Sequence, residues 1–270
     1  MIRLNFPLRR QDKLSRAEFQ KYWRETHGPL VAGVARALRV RRYLQSHTVE
    51  DPLYDGLRTA RTGMHDPFDG IASLWWDTRE DLVAAMASPE GRKAAAMLLE
   101  DEKRFIDLSR SPLWVSQEIV QINPMPENSI VAWPKSSWIK FCYLLQPKEG
   151  MSVAACHKTW NMEHGYLIRR HSGVTRFARY IQNHTLDDEL NEQLRASRGG
   201  PPPYAGLTEA WFDRYDLVTI FGDPTSEGAR GFAAFLEDEK RFIDFTRSTL
   251  FAAKELVFVD EGIAPGPEQQ

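Results

Sequence analysis

The sequence predicts an α+β chain: two ferredoxin-like βαββαβ repeats packed as an intrachain, pseudo-dimeric α+β barrel. Three observations carry that prediction. The first is an internal duplication. Glu100-Asp-Glu-Lys-Arg-Phe-Ile-Asp107 recurs without change as Glu237-Asp-Glu-Lys-Arg-Phe-Ile-Asp244, 137 positions later. At the same offset, Arg42-Tyr-Leu-Gln-Ser-His-Thr48 matches Arg179-Tyr-Ile-Gln-Asn-His-Thr185, and Trp23 with His27-Gly28 matches Trp160 with His164-Gly165. Leu74-Trp-Trp-Asp77 matches Ala210-Trp-Phe-Asp213 at an offset of 136, so one residue was lost between the second and third strands. The second observation is that both copies read in the same order, strand–helix–strand–strand–helix–strand. The third is physical. A sheet with helices on one face leaves an apolar face open, and two copies on a short linker can cover each other.

The elements follow in order. Residues 2–8 and 138–146 read as first strands. Helices start at Ser15 and Ser152, residues suited to accept from the free N–H groups of a first turn. Ser15 with Glu18 has the spacing of a capping box, which Ala155 breaks in the second copy. Residues 41–47 and 179–184 alternate between two faces as second strands. Loops are expected at about 49–68 and 186–205, the latter holding Gly199-Gly-Pro-Pro-Pro203. Third strands at 70–77 and 207–213 lead to helices ending near Asp107 and Asp244, and 113–122 and 251–259 close the copies. The repeats therefore span 1–124 and 137–260, joined by a proline-marked linker at 125–136. A tail at 261–270, with Pro265, Gly266 and Pro267, is expected to lack order.

Composition narrows the partners. A formal charge of -2 gives no basis for a nucleic-acid partner. No run approaches the roughly 18 apolar residues of a membrane span, and the first residues lack the apolar core of a signal peptide. Two cysteines, Cys142 and Cys156, form neither a disulfide framework nor a zinc pattern, so the expectation is a cytoplasmic, metal-free chain. Phosphate-loop, Rossmann, HExxH and nucleophile-elbow patterns are missing from the sequence.

The chemistry-bearing residues repeat too. His27 lies four and eight positions after Trp23 and Phe19, on one helical face, and His164 stands likewise to Trp160 and Cys156. A histidine closing an apolar stripe can be a general acid/base in a dry pocket, or an ordinary helix-end residue. On the second strands, Tyr43, Gln45 and His47 share one face, as do Tyr180, Gln182 and His184. Such a strip can hold a carbonyl or phenol oxygen, or simply pair across strands. The expected catalytic set is His27, His164, Tyr43, His47, Tyr180 and His184. Trp23, Gln45, Asp69, Trp76, Trp160, Gln182 and Glu209 are expected to bind substrate. The copies diverge at Asp69 against Ala205 and Ser73 against Glu209, and the first is favoured slightly as the reactive one. The Glu100–Asp107 and Glu237–Asp244 runs read as solvated helix faces, with Phe105 and Phe242 pointing inward.

Phe19, Trp23, His27-Gly-Pro-Leu30, Arg42-Tyr43, His47, Asp69-Gly70, Trp76 and Asp101-Glu-Lys-Arg-Phe105 together resemble the EthD family, of the dimeric α+β barrel superfamily. Proteins similar to it include some linked to ether degradation, muconolactone methyl isomerases, and fungal polyketide dehydratases and decarboxylases. The resemblance implies chemistry on small hydrophobic molecules, as in aromatic catabolism, without metal or organic cofactor. The expectation is a lyase or isomerase acting on an aromatic, lactone or polyketide-like carbonyl compound. The alternatives are a cofactor-free oxygenase and a non-catalytic binding protein. Whether two chains associate further as a homodimer stays open.

Overall fold

The computed structural model describes residues 1–124 and 131–261. Residues 125–130 of the expected linker and 262–270 of the expected tail lie outside the described residues.

The first half runs β1 (Ile2–Leu8), α1 (Arg16–Tyr22), a π-helical turn (Trp23–His27), α2 (Gly28–Val34), β2 (Arg42–Val49), α3 (Pro52–Thr59), β3 (Gly70–Trp76), α4 (Arg79–Ala87), α5 (Pro89–Glu102) and β4 (Trp114–Ile122). The second half repeats it: β5 (Trp138–Leu145), α6 (Val153–Lys158), a π-helical turn (Thr159–His164), α7 (Gly165–Thr175), β6 (Arg179–Thr185), α8 (Leu190–Arg198), β7 (Gly206–Asp213), α9 (Arg214–Gly222), α10 (Glu227–Glu239) and β8 (Thr249–Asp260).

Local chemistry accounts for the boundaries. Ser15 and Glu18 form the expected capping box at α1, and Ser152 caps α6 by accepting from the Ala155 N–H. The second helix of the first half is broken in two, because Ser88 both ends α4 and caps α5, whose first residue is Pro89. The segments expected to be loops instead carry α3 and α8. Asp51 caps α3 just before Pro52, and Gly199, at φ 69°, ends α8 in the left-handed conformation that favours glycine.

All eight strands close into one antiparallel barrel in the order β1-β3-β2-β8-β5-β7-β6-β4. The two seams, β2 with β8 and β4 with β6, each join one half to the other. Closure leaves neither sheet with a free edge. The barrel interior is polar on one layer. Arg3, Lys140, Glu209 and Glu255 are all buried there. Glu209 accepts from Arg3 at 2.6 Å and also pairs with Lys140, which reaches Glu255 at 2.9 Å. Ser73, Asn183, Trp211, Glu118 and Ser46 add further hydrogen bonds to the cluster.

α3 and α8 are exchanged between the halves. Leu190 and Leu194 of α8 belong to the apolar core of the first half. Tyr54 of α3, flanked by Leu53 and Leu57, belongs to that of the second. Each helix layer is therefore completed by a helix from the opposite half.

Candidate functional site

The π-helical turns set the histidines. In each, the Gly N–H reaches back five residues, from Gly28 to the Trp23 carbonyl and from Gly165 to the Trp160 carbonyl. The widened turn leaves that carbonyl open to a second donor. Gln45 Nε2 supplies it at 2.9 Å, as does Gln182 Nε2 at 2.9 Å in the second half. The same two amides accept through Oε1 from Nε2 of the next histidine of the strand, His47 at 2.7 Å and His184 at 3.1 Å. Trp23 and Trp160 then stack on those imidazoles, with ring centroids 4.4 and 4.5 Å apart. Gly70 and Gly206 make room for the indoles, since a Cβ at either would meet the tryptophan ring at 2.4 and 2.6 Å. Burial lowers both His47 and His184 to a pKa of about 3, with Arg24 adding to the first and His157 to the second. They are neutral members of a helix–sheet seam, and neither exchanges protons near pH 7.

His27 and His164 stand at the ends of the π turns and are buried at 5% and 3% exposure. His27 Nδ1 lies 2.8 Å from Asp101 Oδ2, and His164 Nδ1 lies 2.9 Å from Asp238 Oδ2. Each carboxyl is held below its ordinary pKa chiefly by that hydrogen bond. An aspartate on Nδ1 fixes the imidazole orientation and leaves Nε2 as the nitrogen available for proton transfer. Phe105 and Phe242 pack against the two rings at 5.1 and 5.6 Å. The repeated Asp-Glu-Lys-Arg-Phe run is thus not simply a solvated face. Its first Asp orients a histidine and its Phe packs on it.

The halves differ in the space beyond. In the second, a cavity of about 60 Å³ lies between sheet and helices, walled by Phe141, Tyr143, His164, Phe177, Tyr180, Thr208, Ala210, Phe212 and Phe235, among others. Arg61 and Leu57, from the first half, form part of its wall. A wider cavity of about 420 Å³ adjoins it across Leu57, Arg61 and Phe232. In the first half, Leu74 and Trp76 stand where the second has Ala210 and Phe212. Trp76 is pinned there by donating to the Leu38 carbonyl at 2.7 Å, and Phe258 packs on Tyr43 at 5.5 Å. Burial pushes the phenols of Tyr43 and Tyr180 above their ordinary range, so both are neutral donors.

The expected site residues therefore separate. His164 and Tyr180 meet at the cavity. Trp23, Gln45, His47, Trp160, Gln182 and His184 form the seams behind the helices. Asp69 is fastened by Arg10 and by Arg16 Nε at 3.0 Å. Glu209 faces the barrel interior between Arg3 and Lys140. Sequence reasoning missed Asp101, Asp238, Tyr143 and Arg61. For the aspartates, the eight-residue identity was the available signal. Among the described residues, no group of three or more His, Cys, Asp or Glu is placed to hold a metal ion, and no helix is long and apolar enough to cross a membrane. Cys142 and Cys156 are buried free thiols, each pushed up to about 12 by burial.

The family model described as the EthD domain matches the chain twice, over residues 11–109 and 148–246. The chain belongs to the EthD family. Both matches fall on corresponding parts of the two halves, so this EthD protein is a tandem duplication. No curated protein matches it. Among solved structures, it is similar to an anthrone oxidase-like protein at 11% identity and a TM-score of 0.53, covering 97% of this chain and 94% of that one. That likeness establishes the barrel fold. Lower scores go with a candidate monooxygenase from Lactobacillus acidophilus (6% identity, TM-score 0.48, 97% and 96% covered) and a dye-decolorizing peroxidase from Bacteroides thetaiotaomicron (8%, 0.44, 93% and 92%). The name anthrone oxidase-like speaks of oxidation, and the lyase or isomerase expected from the sequence is withdrawn on that finding.

Proposed function

We propose that this EthD protein is an oxygenase acting on a small aromatic compound with an acidic C–H bond, bound in the second-half cavity together with the wider one that adjoins it across Leu57, Arg61 and Phe232. The observation that supports it most is the His164–Asp238 pair on the wall of a mainly aromatic and aliphatic chamber, whose other polar members are Arg61, Thr208, Glu239 and two tyrosines. Such a chamber favours flat apolar ligands and dioxygen over water. Around the barrel the strands of the two halves run β4-β1-β3-β2 and β8-β5-β7-β6.

The chemistry closes without further reactants. His164 Nε2 takes a proton from the substrate carbon, and Asp238 stabilises the imidazolium that results. The carbanion passes one electron to dioxygen, the two radicals join through a new C–O bond, and the proton returns to give a hydroperoxide. Loss of water across the O–O bond leaves a carbonyl, so a CH₂ group plus O₂ becomes C=O plus H₂O. A placed base contributes roughly 10²–10⁴ in rate.

Anthrone, a flat ketone with an acidic CH₂, is a suitable probe. Oxygen uptake and a product carrying one atom from ¹⁸O₂ are expected with the full chain. His164→Ala should reduce the rate by about 100-fold or more, while His27→Ala leaves it within a few-fold. Binding of anthrone with no oxygen uptake, or equal loss in both variants, overturns the reading.

A further inference from the structure

The second-half cavity has one polar pole, and part of it comes from the first half. Tyr143 lines the cavity at 6% exposure, and its hydroxyl, beside the Arg61 guanidinium, has no acceptor for its proton among the described residues. Beside it lies Arg61, just past the end of α3, with its guanidinium carbon 5.5 Å from the Tyr143 ring centroid. Arg61 Nε and Nη2 donate to Glu239 of α10 at 2.6 and 2.7 Å, and Nη1 donates to the Leu57 carbonyl at 2.8 Å. A buried O–H with no acceptor is costly, and a donor left so in a native protein calls for one.

The first half supplies an internal control. Arg198 of α8 forks onto Glu102 at 3.0 and 3.1 Å, the counterpart of Arg61 on Glu239. Its guanidinium carbon sits 5.8 Å from the ring of Phe6, which stands where Tyr143 does. The exchanged Arg–Glu clasp is therefore common architecture, holding α3 and α8 on the opposite halves. The hydroxyl is what the second half adds. Ala210 and Phe212, in place of Leu74 and Trp76, supply the room.

We propose that Tyr143 is the specificity-determining residue of this cavity. Its O–H donates to an oxygen carried on the ligand's aromatic ring, a ketone or phenol oxygen, beside the Arg61 guanidinium. The substrate class is then oxygenated arenes rather than aromatic hydrocarbons. This deepens the oxygenase reading and rests on it for the cavity being the ligand site.

The test compares 2-naphthol with naphthalene by calorimetric titration of the full chain. Wild type should favour 2-naphthol by about three- to tenfold, the usual net worth of one hydrogen bond. Tyr143→Phe, which copies the Phe6 arrangement and should fold, is expected to bring the ratio near one while naphthalene affinity holds. Tyr143→Met, checked by thermal melting, serves as a second replacement lacking the hydroxyl. A preference surviving in both variants, or absent in wild type, overturns the assignment of Tyr143. Failure of both ligands to bind overturns the cavity as the ligand site, and the oxygenase reading with it.

Discussion

Glu209 shows how one side chain can be misread from its neighbours in sequence. Its replacement of Ser73 suggests an extra carboxylate at a ligand site, yet strand alternation turns it into the barrel. Burial alone would raise its pKa, but Arg3 and Lys140 together hold it below the ordinary carboxylate range. The sign of the pH dependence follows. A lowered folded pKa stabilises the protein fully above the ordinary value of 4.5 and loses that contribution as pH falls toward the folded value. Glu209→Gln should cost about 3–5 kcal/mol at pH 7, because two buried cations lose their shared anion. Urea titrations across pH 3–7 should also show a shallower acid limb in the variant. An unchanged midpoint would mean that Glu255 alone neutralises the cluster. Asp101 and Glu102, with Asp238 and Glu239, make the opposite lesson. They look like surface charge in sequence, but each pair orients a histidine and clasps an arginine from the other half.

At the scale of elements, the π turn and the second strand act as one device. Gln182 joins them by donating to the Trp160 carbonyl and holding His184, while Trp160 stacks on that imidazole. Gln182→Leu has nearly the same volume but removes both contacts. The expected loss is about 1–3 kcal/mol from the stranded carbonyl and imidazole, read from denaturant midpoints. Gln182→Glu should recover part of the His184 contact and none of the Trp160 one. A neutral outcome for Gln182→Leu would show that the glycine N–H alone satisfies the π-turn carbonyl. Tyr, Gln and His on alternate positions were legible as a strip on one face. Its target was not, since a π turn has no marked pattern in the sequence.

At the scale of the whole molecule, the two halves cannot be treated as separable units. Both seams of the barrel, the exchange of α3 with α8 and the central ion cluster cross between them. Residues 1–124 and 131–261 expressed apart would each expose two strand edges and an apolar helix layer. Self-pairing cannot rescue the first half well, because Ser73 would then face Arg3 where Glu209 does now. Co-expressed halves are expected to co-purify as a one-to-one complex with the cavity restored. The first half alone should aggregate, and its recovery as a monomer with a cooperative melt would refute this account.

The sequence by itself determined the duplication, the order of the strands, the family and the barrel closed within one chain, but not the helices α3 and α8. Those depend on periodicity, caps and repeated residues, which are local or directly comparable between the halves. Only the tertiary structure decided which side chains wall the second-half cavity. That depends on side-chain volumes summed over several elements, as when Leu74 and Trp76 fill what Ala210 and Phe212 leave open. It also depends on an arginine supplied from the opposite half. No single stretch of sequence contains either quantity, because both arise only when the halves pack together.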